Sequence, residues 1–402
     1  MIVRVVLLAV LVKLLHHRIW PWGLAVPWTD RMVYSLVNRT NDSLQMKYGR
    51  VQKIYERFQE GQVEPFMKGP ETVIFDSQGV MHIMNEEGFL VQLSNLVQDQ
   101  DDPTKLWATT HVVADLGMGR PLGGCFTSNN TLYIADAHLG LTRLSSPGAK
   151  VELVASRVMD QGQWTQILYA NDVVVGPKTG RVYFTDSTTI APDRLGTHSW
   201  DTMYGAKSDC MRASKTGRLL QYDPETDTIE VLARGFHFAN GISIDKDERW
   251  IVFSETFSLR MQKYDLASRT VVPIVNGGLT GYPDGLDCAW KGITASDSNL
   301  CYAAMPSSIL PIMKLVKALP RPFDMMIRSL LLGLPKSLAP PIKPYGGIAV
   351  FDPEIDHDSP VSFIQDPDGK DVGMITGVTV HDNKLYLGSL KNDYIGVYHL
   401  TP

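Results

Sequence analysis

Cysteine is scarce: four residues in 402, with no C-x-x-C pair among them. A disulfide-built scaffold and a zinc ribbon are therefore excluded. Positive charge is not in excess either, with 38 Lys and Arg against 43 Asp and Glu and a net charge of −5. A nucleic-acid partner, which needs a basic face, is not expected. Long apolar runs are missing, so a multi-span membrane protein is ruled out. There is no collagen-like or heptad repeat and no low-complexity tract. What remains is a chain that is 44% hydrophobic, ample for a core, with 33 Gly and 24 Pro to supply turns.

The N-terminus departs from this soluble pattern. Residues 1–28 read MIVRVVLLAVLVKLLHHRIWPWGLAVPW. Their uninterrupted apolar stretch, Val5–Val12, is eight residues long, whereas crossing a bilayer takes about 20. A basic residue ahead of a short apolar run resembles a secretory signal, but no A-x-A-like cleavage site follows. Trp20, Trp22 and Trp28 sit where an interfacial belt would lie. An uncleaved anchor or membrane-dipping helix is the reading adopted, with a cleaved signal and a packed helix as alternatives. Residues 29–50 read as a linker. Sequons at Asn38, Asn41 and Asn129 suit glycosylation in a lumenal or extracellular setting. The expectation is a membrane protein, single-pass or peripheral, of the endoplasmic reticulum and secretory pathway or the plasma membrane, with its body lumenal or extracellular.

Residues 51–402 repeat one phrase: a short apolar strand, a polar turn, and a second strand rich in Tyr, Phe, Ile and Val. Copies begin near Thr72, Gly123, Asp172, Gly241, Gly285 and Gly377. Their turn anchors, Gly79, Asn130, Gly180, Glu248, Asn299 and Asn383, are spaced 51, 50, 68, 51 and 84 residues apart. Periods near 50 with about four strands per unit are the signature of a β-propeller. The fold class expected is all-β, a six-bladed β-propeller, with an N-terminal hydrophobic helix and a helical insertion in blade five.

In a propeller the first strand of each blade lines the channel, so the residue opening each phrase faces the axis. Those residues are Glu71, Leu122, Asn171, Asn240, Asp284 and Thr376. Glu71, Asn171, Asn240 and Asp284 form a set of hard oxygen donors with two formal negative charges, the chemistry of a Ca²⁺ site. No His or Cys belongs to the set, which disfavours zinc. The alternative is that these residues merely cap strand ends.

The stretches GPETVIFDSQG, GRPLGGCFTSNNTLYIADAHLGLTRL, NDVVVGPKTGRVYFTDSTT, GRLLQYDPETDTIEVLARGFHFANGISI and LTGYPDGLD resemble the strictosidine synthase-like family, most nearly its adipocyte plasma membrane-associated protein branch. That family is related to the paraoxonases and to the gluconolactonase/senescence marker proteins. The resemblance covers about residues 50–400 and implies a six-bladed propeller. It also implies that Glu71, Asn171, Asn240 and Asp284 bind a channel calcium.

Two departures narrow the chemistry. True strictosidine synthase carries a catalytic Glu in its sixth blade, and the corresponding stretch here, DVGMITGVTVHDNKLY, has none. Paraoxonases use a His pair in the second blade; here the first position is Leu122, and only His138 lies near the second. Calcium at the axis could polarise an ester or lactone carbonyl. Asp284 is then the candidate base, with His138 and His237 as weaker candidates. Cys288 and Cys301 fall on one hairpin, either as a disulfide or as two buried thiols.

Between Pro306 and Tyr345 the β pattern breaks. This segment carries six basic residues against one acid, Asp324, a net of +5. Two short helices are expected, near 309–319 and 323–334. Lys314, Lys317, Arg321 and Arg328 are the expected contacts with an anionic membrane; a cap over the channel mouth is the alternative. The reading is a membrane-associated calcium-dependent hydrolase of small apolar esters or lactones, arylesterase- or lactonase-like. The competing reading is a non-catalytic propeller that binds a protein partner, its calcium structural.

Overall fold

The computed structural model describes residues 43–45 and 51–400, apart from 63, 197–198, 292–298, 321–322, 335–341, 356–358 and 360. The expected anchor over 1–28 and sequons Asn38 and Asn41 lie outside the described residues. Ser43–Gln45, assigned to a linker in the sequence, instead forms a strand that pairs in parallel with Ser362–Asp366.

The architecture is all-β and propeller-like. Three four-stranded antiparallel sheets begin with the inner strands Pro121–Phe126, Ala170–Val175 and Ala239–Ile244. A five-stranded sheet begins with Leu286–Cys288 and ends at Ser43–Gln45. Two two-stranded ribbons, Arg157–Asp160 with Gln163–Gln166 and Asp193–Arg194 with Trp200–Asp201, stand apart from these, and the largest sheet has eight strands. Its two inner strands, Gly377–His381 and Val73–Phe75, lie at opposite edges, and its middle is a parallel pairing of Val51–Glu56 with Lys105–Asp115. Val51–Glu56 also pairs antiparallel with Tyr394–His399, joining the two ends of the described chain. Apart from the two ribbons, hydrogen bonding thus gives four separate sheets and one fused one, not the six separate blades expected, because the outermost strands of the first and last units bond to each other.

Turn chemistry explains the hairpins. Gly79, Asn130, Gly180, Glu248 and Asn383 all adopt left-handed φ values, the region that Gly and Asn tolerate best. Glu248 is the exception in residue type, and its carboxylate accepts hydrogen bonds from Lys178 N and Thr179 N of the neighbouring turn, at 2.5 and 2.8 Å. The longer repeat spacings arise from helices. α1 (Thr202–Arg212) lies between Val182–Asp186 and Gly217–Asp223, capped by Asp201, whose side chain accepts from Tyr204 N. α2 (Pro311–Ala318) and α3 (Phe323–Gly333) lie between Cys301–Met305 and Gly346–Phe351. Among the described residues no helix is long and apolar enough to cross a membrane.

The six inner strands stand side by side in a closed ring. Polar side chains stitch neighbours together: Thr72 Oγ1 donates to Leu122 O at 2.7 Å, and Thr379 Oγ1 to Val73 O at 2.6 Å. Asp172 accepts from Ile242 N at 3.0 Å, and Asp287 from Val380 N at 3.1 Å. Glycine permits the close approach where the ring is tightest. A Cβ on Gly377 or Gly388 would collide with the carbonyl oxygen of Glu71, so the last unit seats directly against the first.

Candidate functional site

The channel has two unlike ends. Where the inner strands finish, a cavity of about 670 Å³ opens, lined by residues from several sheets including Phe75, Asp76, Lys178, Asp287, Trp290 and His381. It extends inward to Thr72, Asp172, Gly285 and Gly377. Each of these immediately follows a residue singled out by the repeat: Glu71, Asn171, Asp284 and Thr376.

Those residues lie where the inner strands begin. Glu71, Asn171 and Asn240 are buried, and Asp284 is half-buried. Glu71 and Asp284 feel each other's charge, which places both carboxyls in one neighbourhood. Burial pushes Glu71 well above the usual carboxyl range; Asp284 and Asp172 add to this and Arg120 opposes it. Burial also raises Asp284, opposed by the amide of Asn240 and reinforced by Asp172. Asn240 Nδ2 donates to Thr256 Oγ1 at 3.2 Å. Two oxygens, Glu71 Oε2 and Asn240 Oδ1, are buried with no hydrogen-bond partner. Orphaned acceptors of this kind are rare and call for an explanation.

A hard cation supplies one. Two carboxylates and two amides fit the donor chemistry of calcium, and the orphaned atoms are oxygens able to coordinate it. Among the described residues there is no group of three or more His, Cys, Asp and Glu placed to hold a metal. A site here therefore depends on the amide oxygens as well as on the two acids.

Two residues of this neighbourhood escape a reading of the phrase openings. Arg120 is buried, donates to Gly69 O and Pro121 O at 3.2 Å each, and is the one positive charge acting on Glu71. Asp172 follows Asn171 and spans to the next strand. At this second phrase position four copies carry Gly and one Thr, so the lone carboxylate is visible in the sequence once the copies are aligned. Nothing comparable marks Arg120.

Other candidates sit elsewhere. His138 is exposed and stacks on Trp200 with ring centroids 3.7 Å apart; the charges that act on Glu71 and Asp284 do not include it. His237 is buried, and Ser214 O faces its Nδ1. Burial lowers its pKa to about 4, leaving the ring neutral. Its backbone N donates to Glu255, which gives that acid a structural task. Asn129 is exposed in its turn, as a glycan acceptor must be. Cys288 and Cys301 are joined in a disulfide.

The expected membrane contacts divide. Lys314 and Lys317 belong to α2, while Arg321 lies outside the described residues. Arg328 is a correction: it is buried and donates to the carbonyl of Cys210 at 2.9 Å, so it ties α3 to α1 and does not face a membrane.

The helices pack at the strand-start end. Tyr169 OH donates to Thr202 O at 3.0 Å, bringing the first turn of α1 over the inner strand that holds Asn171. Leu122, Tyr169, Phe238 and Tyr282, next to or near the ring positions, share one apolar cluster with Cys210 of α1 and Met313 of α2. The candidate site is thus roofed, while the opposite end is open.

Residues 171–269 match the strictosidine synthase family model. The protein STRICTOSIDINE SYNTHASE-LIKE 2 of Arabidopsis thaliana is 29% identical over 260 residues, covering 61% of this chain and 64% of that protein. The adipocyte plasma membrane-associated protein of Salmo salar is 28% identical over 295 residues, covering 69% of this chain and 62% of the relative. In both cases the chain spans less than two thirds of the relative's own length. Among solved structures, a gluconolactonase from Xanthomonas campestris superposes with a TM-score of 0.51 at 13% identity, covering 83% of this chain and 86% of that one. At that identity the likeness is one of fold alone. The sequences similar to this chain thus include strictosidine synthase-like and adipocyte plasma membrane-associated proteins, and the family-model match is confined to residues 171–269.

Proposed function

We propose that this protein is a membrane-associated, calcium-dependent hydrolase of small apolar esters or lactones. The observation that carries the proposal is the pair of neighbouring carboxyls, Glu71 and Asp284, beside the unpartnered oxygens of Glu71 and Asn240. The gluconolactonase-like fold and the adipocyte plasma membrane-associated relatives support it. In this reading the eight-stranded sheet is two blades bonded at their rims, which makes the propeller six-bladed around its ring of six inner strands.

Glu71, Asn171, Asn240 and Asp284 hold the ion. Calcium, when bound, supplies positive charge that stabilises oxyanion character on the substrate carbonyl. Asn240, through its amide, holds the carboxyl of Asp284 in place. Arg120 offsets part of the negative charge around Glu71. Asp284 takes the proton of attacking water, and such a base contributes about 10²- to 10⁴-fold. The roof of apolar side chains excludes bulk water from the site and suits an apolar acyl group.

The test is hydrolysis of an aryl acetate and a lactone panel by the full chain, with calcium and with chelator. Turnover is expected with calcium, is lost on chelation, and falls at least 100-fold in Asp284→Asn. A chelator that lowers the melting temperature while no condition gives turnover makes the ion structural and returns the protein to the class of binding modules.

A further inference from the structure

α3 presents its polar and apolar faces the wrong way round for a helix on a soluble protein. Asp324 and Arg328, one turn apart, are 8% and 4% exposed, whereas Phe323, Met326 and Leu330 are 56%, 64% and 40% exposed. A surface helix ordinarily buries the second kind of residue and shows the first to water.

The buried seam is poorly satisfied. Arg328 Nη1 reaches Cys210 O, but Arg328 Nε and Asp324 Oδ1 have no partner. Partnerless buried polar atoms penalise the closed arrangement, and so does the apolar stripe left in water. Lifting α3 would rehydrate the seam, and an apolar phase would accept the stripe. Both penalties are relieved by the same movement.

Charge identifies the apolar phase. Apart from Asp324, residues 306–345 contain no acid, and their sequence supplies Lys314, Lys317, Arg321, Lys336 and Lys343. An apolar stripe within a basic segment matches a surface of anionic lipid. We infer that Phe323, Met326 and Leu330 dock on an anionic lipid surface, and that docking lifts α3 from α1. The inference depends neither on an ion in the ring nor on hydrolysis.

Cys210 is a built-in reporter. Its thiol is free and buried in α1, at the residue whose carbonyl holds Arg328. Cys125, the other cysteine outside the disulfide, lies on an inner strand and lines the cavity at the far end. The full chain is placed on phosphatidylcholine vesicles or on vesicles that also contain one quarter phosphatidylserine. Maleimide labelling of the two cysteines is then followed by peptide mass. Anionic vesicles are expected to speed labelling of Cys210 at least tenfold and leave Cys125 unchanged. The variant Phe323→Ser/Met326→Ser/Leu330→Ser, altered only at exposed positions, keeps its melting temperature and loses the acceleration.

An unchanged Cys210 rate on anionic vesicles overturns the inference. So does an acceleration that the triple variant retains, which assigns the effect to another segment, or one shared equally by Cys125, which signals general loosening. Equal acceleration on neutral vesicles overturns the choice of anionic lipid. Concentration-dependent self-association that the triple variant abolishes would replace lipid with a second copy of the chain.

Discussion

The two ends of the channel are made by the same six strands yet treat their buried oxygens in opposite ways. At the open end, Asp172 and Asp287 accept backbone N–H groups from adjoining inner strands. At the roofed end, Glu71 Oε2 and Asn240 Oδ1 accept nothing. The cavity is therefore next to acids that hold the fold, and the acids of the candidate site are under cover. On the reading proposed above, the candidate site lies at the roofed end and not at the wider opening.

Breaking the ring itself should have the largest effect. Gly388→Ala forces the strand Lys384–Gly388 off the Glu71 carbonyl and displaces both ends of the channel together. A loss of about 4 kcal/mol is expected, read as a fall in the denaturant midpoint. A next-smaller effect separates the ends. Asp287→Ala strips an acceptor from Cys288 N and Val380 N and should cost about 3 kcal/mol, with the calcium response kept. Glu71→Gln should cost little without calcium, because it removes one of two repelling buried acids. Its melting temperature should no longer rise with calcium, where saturation at a hundred times Kd stabilises the parent by about 2.7 kcal/mol. If the two variants behave alike in calcium titrations, the distinction between structural and ligand-ready acids collapses.

The smallest effect concerns Asp209, buried in α1. Burial raises Asp209 to about 7, while Thr188, Ser214 and Arg212 pull the other way. The folded protein therefore keeps a proton that the unfolded chain releases above its ordinary value of 3.8. Stability should fall as pH rises from about 4 to 7 and stay low beyond. Asp209→Asn removes that dependence: near pH 4 the variant and parent should melt together, and at pH 8 the variant should be more stable by roughly 1–2 kcal/mol. Parallel melting curves from pH 4 to 8 would show that Asp209 is not held protonated.

Much of this was legible in the chain because hairpin turns are local. A left-handed turn residue and a short run of β-branched and aromatic residues announce each inner hairpin without reference to anything distant. From the repeat phase, Glu71, Asn171, Asn240 and Asp284 follow as the residues that open inner strands. Long-range features were hidden. The parallel pairing of Val51–Glu56 with Lys105–Asp115 that fuses two units has no local signature, so blades were expected as separate sheets. Arg328 misled for a related reason: in a basic amphipathic segment it reads as a charge facing solvent, and its burial depends on the Cys210 carbonyl over a hundred residues away. Whether Cys288 and Cys301 were bonded or merely packed also needed the register of their hairpin, which sets them directly opposite each other.

The pairing of Val51–Glu56 with Tyr394–His399 bears on how the molecule is made. The ribosome delivers the first partner of this clasp long before the second. Until then the early units have a hydrogen-bonding edge exposed, and Glu71 lacks the Gly377 and Gly388 backbone that seats it. Contacts this distant in sequence form slowly, and unpaired edges invite aggregation while they wait. The ring around Glu71 is thus complete only after both partners of the clasp have been made. An ion that settles there would report the completion of the fold, and a nascent chain released before its last strand would have no way to hold one.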